Sequence, residues 1–141
     1  MIKRIKYVSR FDGPHTEADI QAIGEQSRAN NDRLDLTGML MASGGLFYQV
    51  LEGPAEAVDD VYDRIANDSR HTDLLLLDTE ENVERLYPDW SMEVINLDAA
   101  SNIRLFPLKA LMKSVFEQTR LTENMMWSID RTIQHEMRRK D

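Results

Sequence analysis

The chain has 141 residues and no cysteine. It is long enough to bury a core without metal or disulfide staples, and neither a disulfide framework nor thiol catalysis is open to it. Seventeen basic against twenty-five acidic residues give a formal net charge of −8, which argues against a nucleic-acid partner because phosphate binding is mainly electrostatic.

Nothing approaches the roughly 18 consecutive apolar residues of a membrane span. The start, Met1-Ile2-Lys3-Arg4-Ile5, is too short and too charged for a signal peptide, so a cytoplasmic protein with no membrane partner is expected. Ile2, Ile5, Tyr7 and Val8, interleaved with Lys3, Arg4 and Lys6, read as a first strand ending near Ser9-Arg10, with Asp12-Gly13-Pro14 as the turn out. Thr16 is a candidate N-cap with Asp19 three residues on. The helix they open has the apolar stripe Ile20, Ile23 and Gly24 and ends around Asn30-Asn31-Asp32.

Two strand-like runs, residues 35–42 and 46–53, flank Ser43-Gly44-Gly45 and predict a β-hairpin. The second run should be buried, yet it carries Gln49. An unpaired buried amide costs on the order of 1 to 3 kcal/mol, so Gln49 must meet backbone or a bound polar ligand. After Pro54, the helical spacing of Val58, Val61, Tyr62 and Ile65 predicts a second helix over residues 55–67, closed by Asp68-Ser69-Arg70-His71. Leu74-Leu75-Leu76-Leu77 reads as a fourth strand, too apolar to face water on both sides. A charged loop over residues 80–85 leads to Tyr87-Pro88-Asp89-Trp90 and a fifth strand at residues 91–95.

The order β-α-β-β-α-β through residue 79 is the ferredoxin-like split arrangement of an α+β fold, with two helices on one face of the sheet. Residues 1–98 form this domain. Residues 99–141 read as a helical appendage of two helices hinged near residues 119–122. Its apolar stripes are Leu105, Leu108, Leu111, Met112, Val115 and Phe116, then Met125, Met126, Ile129, Ile133 and Met137.

The fold hosts unrelated activities, so function has to come from a site. Phe47 and Tyr48 mimic the stacking platform of an RNA-binding module, but an acidic chain without that platform's basic pattern opposes the reading. His15, His71 and His135 have no metal-ligand spacing, and no serine-nucleophile turn or phosphate-cradling loop is present. Glu25, Glu52 and Asp68 read as surface or helix-end charges. On residue type alone, Tyr7 is a half-buried strand aromatic, Asn30-Asn31 a helix C-terminal turn, Ile23 and Ile65 core, and Arg64 a solvated helix residue.

Several linked pieces, in order and spacing, carry a resemblance. They are Tyr7, Ser27-Arg28-Ala29-Asn30-Asn31, Leu36-Thr37-Gly38-Met39-Leu40, Phe47-Tyr48-Gln49-Val50-Leu51-Glu52-Gly53, the run Tyr62 to His71, and Trp90-Ser91-Met92. Over about residues 2 to 97 the chain resembles the BLUF domains, blue-light photoreceptors that use flavin. The resemblance implies a flavin, FAD with FMN as the alternative, held without a covalent bond between the two helices with its polar edge toward the sheet. Tyr7 would then be the electron and proton donor and Gln49 the amide that switches. Asn31 would pair with the ring's polar edge, with Asn30 and Ser27 close by, and Ile23 and Ile65 would pack on its faces. Arg64, Asp68, Arg70 and His71 would line its outer edge or tail.

Trp90 and Met92 are the alternates for a place beside Gln49. They share a parity, so in a regular strand they face one side. The resemblance is to the sensor halves of light-activated nucleotide cyclases, and it extends through Pro107-Leu108-Lys109-Ala110-Leu111. No cyclase domain is read here, which leaves a stand-alone receptor or a sensor from a longer protein. A homodimer through the C-terminal helices, acting on an unknown effector, is expected; the stripe from Leu105 to Phe116 is its favoured contact, with folding back on the chain's own sheet as the alternative. The competing reading is a flavin-free interaction module of the same fold.

Overall fold

The computed structural model describes residues 1–12 and 16–140. Gly13 and Pro14 of the first turn, and His15, lie outside the described residues. Five strands form one sheet: β1 (Ile2–Arg10), β2 (Thr37–Ser43), β3 (Leu46–Pro54), β4 (Leu75–Glu81) and β5 (Glu93–Asn96), in the order β4-β1-β3-β2-β5. All neighbours are antiparallel except β2 and β5. The first four strands keep the ferredoxin-like order, and β5 adds a parallel edge.

Helix α1 (Glu17–Leu34) opens on a capping box in which Thr16 and Asp19 bond each other's backbone, and it closes at Asp35 in the left-handed conformation. It runs past the expected end at Asn30-Asn31-Asp32, because Asn31 points inward, 2% exposed, and its side chain bonds the Ser91 carbonyl. The β2–β3 hairpin turns on Gly44 and Gly45, both at positive φ. Helix α2 (Ala55–Ala66) follows.

Strand alternation divides the core into two layers. Ile5, Tyr7, Leu40, Phe47 and Leu51 join the cluster under α1 and α2. Met39, Met41, Val50 and Val8 face the other way. There they are covered by helix α3 (Pro107–Lys140), which follows a 3-10 segment, Ala100–Leu105.

Two strands depart from the sequence reading. The fourth begins at Leu75 and runs on through Glu80 and Glu81, residues expected in a loop, because they pair with Arg4 and Lys3 of β1. As an edge strand it leaves Leu76 43% exposed. The fifth begins at Glu93, so Trp90 and Met92 precede it and strand parity does not govern them.

The expected hinge at residues 119–122 is replaced by one continuous helix. Nothing between residues 108 and 140 is Pro or Gly, and Thr119 and Thr122 each cost a helix less than about 1 kcal/mol. The apolar stripe expected to contact a second copy instead packs on the chain's own sheet: Leu105, Leu108 and Met112 lie against Met39, Met41 and Val50, and Phe116 against Val8. Leu111 and Val115 stay exposed, as does every described residue from Leu121 to Arg139. No helix among the described residues is long and apolar enough to cross a membrane.

Candidate functional site

A cleft of about 240 Å³ opens between α1 and α2 above β1 and β3. Its floor is a pair of residues opposite each other in the β1–β3 ladder, Tyr7 and Gln49. The buried Tyr7 hydroxyl donates to Gln49 Oε1. Burial raises the Tyr7 phenol well above its ordinary value, with the nearby Tyr62 adding to the shift. The Tyr62 ring meets Tyr7 edge-on at 5.7 Å. On its other side, Gln49 Nε2 faces the Met92 sulfur at 3.7 Å, a weak acceptor. Among the described residues this buried amide nitrogen thus has only a thioether for partner.

The α1 wall carries Ile23, Ser27, Asn30 and Asn31, and the α2 wall Val61, Arg64 and Ile65. Asn31 Nδ2 donates to the Ser91 carbonyl at 2.7 Å; among the described residues nothing donates to its Oδ1. One turn earlier, Arg28 donates to the Met92 carbonyl at 3.1 Å. Asp32 accepts from the Ser91 hydroxyl. One turn of α1 therefore grips the two residues that lead into β5.

The mouth holds Asp68, Arg70 and His71. The Arg70 guanidinium bonds the Asp68 carboxylate at 2.6 Å and holds it down at about 2. The half-buried His71 ring pairs through Nδ1 with the Ser9 hydroxyl at 3.0 Å and meets Phe11 edge-on. Burial lowers its proton affinity, while Asp68 pulls the other way.

All eleven residues named for the site from sequence line this one cleft. Of the two alternates, Met92 is buried against Gln49, whereas Trp90 is 38% exposed and stacks on Tyr87 at 5.3 Å. Sequence reasoning missed Phe11, Gln26, Leu40, Phe47, Leu51 and Val61. Phe47 and Leu51 share the parity of Gln49, and Val61 lies one turn before Ile65, so those were readable. Gln26 carries no signal beyond standing three residues after Ile23.

Glu52 is a correction. Read as a surface charge, it is fully buried in mid-sheet, accepting from the Leu86 and Tyr87 amides at 3.0 and 2.6 Å and from Arg4 at 3.4 Å. Glu25 and His135 are exposed. No group of three or more metal-binding side chains occurs among the described residues.

A family model described as "Sensors of blue-light using FAD", BLUF, matches residues 2–93. The chain belongs to the BLUF family. It is 37% identical over 89 residues to the photoactivated adenylate cyclase subunit beta of Euglena gracilis, a match covering 62% of this chain and 10% of that protein. Among solved structures, a bacterial light-regulated adenylyl cyclase superposes with a TM-score of 0.79 at 40% identity, over 88% of this chain and 36% of that one. The BLUF protein BlrB in its dark state superposes with a TM-score of 0.67 at 32% identity, over 94% of each chain. This BLUF chain therefore spans about a tenth of the curated relatives it matches, and nearly all of BlrB.

BLUF domains bind flavin, and the residues here fit one. A flavin ring offers two apolar faces and an edge with an N–H between two carbonyls. Ile23 and Ile65 supply apolar walls, Asn31 Oδ1 is an open acceptor, and Gln49 Nε2 is a donor in need of a better acceptor than sulfur.

Proposed function

We propose that this BLUF domain is a blue-light photoreceptor that holds a flavin without a covalent bond and signals through β5 and α3. When bound, the flavin supplies blue absorption and an excited state that takes an electron from a nearby donor. Tyr7 is that donor, an oxidisable phenol whose proton already lies on a hydrogen bond to Gln49 Oε1. Once oxidised, the phenol would pass its proton along that bond to Gln49 Oε1, leaving the Tyr7 oxygen an acceptor, so the bond reverses and Gln49 re-pairs. Asn31 fixes the polar edge of the ring, with Ser27 and Asn30 beside it, and Ile23 and Ile65 sandwich it. Arg64, Asp68, Arg70 and His71 hold its outer edge and tail. These contacts are shared by FAD and FMN; we assign FAD.

The observation that carries this reading is the floor of the cleft: a buried tyrosine bonded to a buried amide whose nitrogen, among the described residues, faces only a thioether. Met92, the Gln49 neighbour, passes the change to β5. From there Leu97, buried against Met112, reaches α3. The exposed stripe of α3 is the contact with a second copy, and the dimer acts on an effector such as a nucleotide cyclase.

The purified chain is expected to be yellow and to undergo a small, reversible red shift under blue light. Tyr7→Phe is expected to keep the colour and lose the shift, and Gln49→Leu to lose the shift as well. A colourless protein refutes the reading and favours a flavin-free interaction module; a Gln49→Leu variant that still shifts refutes the amide's role.

A further inference from the structure

We infer that Glu52, on the side of the sheet away from the cleft, is the positioning residue that fixes Met92 against Gln49 and so sets the lifetime of the light-induced state. This rests on the photoreceptor reading above. Glu52 lies three positions after Gln49 on β3, so the two side chains point to opposite faces. It is fully buried. Its two oxygens divide their work: Oε1 accepts from the Tyr87 amide at 2.6 Å, and Oε2 from the Leu86 amide at 3.0 Å and from Arg4 at 3.4 Å.

Arg4 stands opposite Glu52 in the ladder and also donates to the Glu84 carbonyl at 2.9 Å. Arg85 adds the third strand, donating to Thr37 Oγ1 at 2.8 Å and to the Asp35 carbonyl at 2.9 Å. Residues 84 to 87 are thus moored to the ends of β1, β2 and β3. Only five residues further on, with no regular structure between, Met92 meets Gln49. In between, Gly38 N–H holds the Trp90 carbonyl at 2.8 Å and Asn31 that of Ser91.

A buried ion pair is a weak source of stability compared with apolar packing of the same volume. What a carboxylate does that packing does not is accept from two consecutive backbone amides, which selects one path for the chain. With the segment fixed at Glu52, a change at Gln49 is delivered through Met92 to β5; with it loose, Met92 and its α1 anchors can shift against residues 84–89 and the change is absorbed there.

The test is Glu52→Gln in the full chain. The glutamine keeps the shape, loses one acceptor and leaves Arg4 paired with Glu80, which it already bonds at 3.0 Å. In flavin-free protein, hydrogen exchange at the Leu86 and Tyr87 amides is expected to quicken about tenfold. In a Trp127→Phe background, Trp90 emission is expected to shift. With FAD bound, recovery in the dark after illumination is expected to accelerate about fivefold to tenfold, the scale of one buried hydrogen bond.

Leu75→Ala, a buried β4 residue remote from the segment, is the control for general destabilisation, costing at least as much stability, and is expected to leave recovery within about twofold. Unchanged exchange at both amides, or a control that accelerates recovery as much as Glu52→Gln, overturns the inference. If Glu52→Gln does not fold, Arg85→Gln is read in the same two arms with the same direction expected, and unchanged exchange and recovery there overturn it. A wild-type chain that shows no light-induced shift defeats the photoreceptor reading alone, since the flavin-free arm still decides whether Glu52 positions the segment.

Discussion

Single residues near the cleft differ in what they commit to. Tyr7 and Gln49 are bonded to each other, and Asn31 keeps an acceptor open, whereas His71 is tuned by burial. Its folded value lies below the ordinary 6.5, so the folded state favours the neutral ring. Such a group stabilises the fold above pH 6.5, and the contribution is lost as pH falls through that value, because the unfolded chain takes the proton first. The melting temperature is therefore expected to fall as the pH drops below about 6.5, and His71→Gln, which can keep a bond to Ser9, is expected to flatten that slope. Thermal melts at several pH values check it, and equal slopes in both proteins remove His71 as the cause. Asp68 does not confuse the reading, since its stabilising effect is present above 3.8 and disappears only as pH falls toward about 2. That His71 lies at the cleft was legible through the family motif. Its bond to Ser9 was not, because the two are 62 positions apart.

Among elements, the legible ones were those whose signal is local. Alternation marked β1, period marked α2, and Gly44-Gly45 marked the hairpin. The charged half of β4 was illegible because Glu80 and Glu81 find their partners, Arg4 and Lys3, across the sheet. Glu52 was illegible for the same reason, its acceptors being filled by amides more than thirty residues downstream. The gap in the apolar stripe between Phe116 and Met125 suggested a bend. It marks instead the place where α3 leaves the sheet, beyond which every described residue from Leu121 to Arg139 is exposed.

Two glycines show how tightly the elements meet. A Cβ on Gly38 would lie 2.0 Å from the Val50 carbonyl oxygen, and one on Gly24 would lie 2.3 Å from a Val94 methyl. The first obstacle is ladder backbone, which cannot turn aside; the second is a side chain. Gly38→Ala is accordingly expected to cost about 1 to 3 kcal/mol or more, and Gly24→Ala less, by denaturant unfolding. The reverse order would mean that α1 and β5 are the more rigid contact.

At the scale of the whole molecule the question is what α3 does beyond the sheet. A helix of 34 residues is about 51 Å long, and only its first turns are covered. Met125, Ile129, Ile133 and Met137, all more than half exposed, recur every four residues on the same face as Leu111 and Val115. The apolar stripe thus runs in two stretches, Leu111 to Val115 and Met125 to Met137, broken between them by Gln118 and Thr122 and about a quarter-turn away from the side that packs on the sheet. A stripe of that length in water fits a second helix of the same kind. A re-paired hydrogen bond at Gln49 is worth about 0.5 to 1.5 kcal/mol, enough only to bias a helix pair already near balance. Light is therefore expected to alter the association constant by no more than about tenfold. Ile129→Asp together with Ile133→Asp is expected to give a monomer that keeps the flavin colour and the red shift, because neither residue approaches the cleft. Sedimentation in the dark and under blue light measures both points, and a wild-type chain that is monomeric in both would leave β5 and the sheet-covering part of α3 as the output surface.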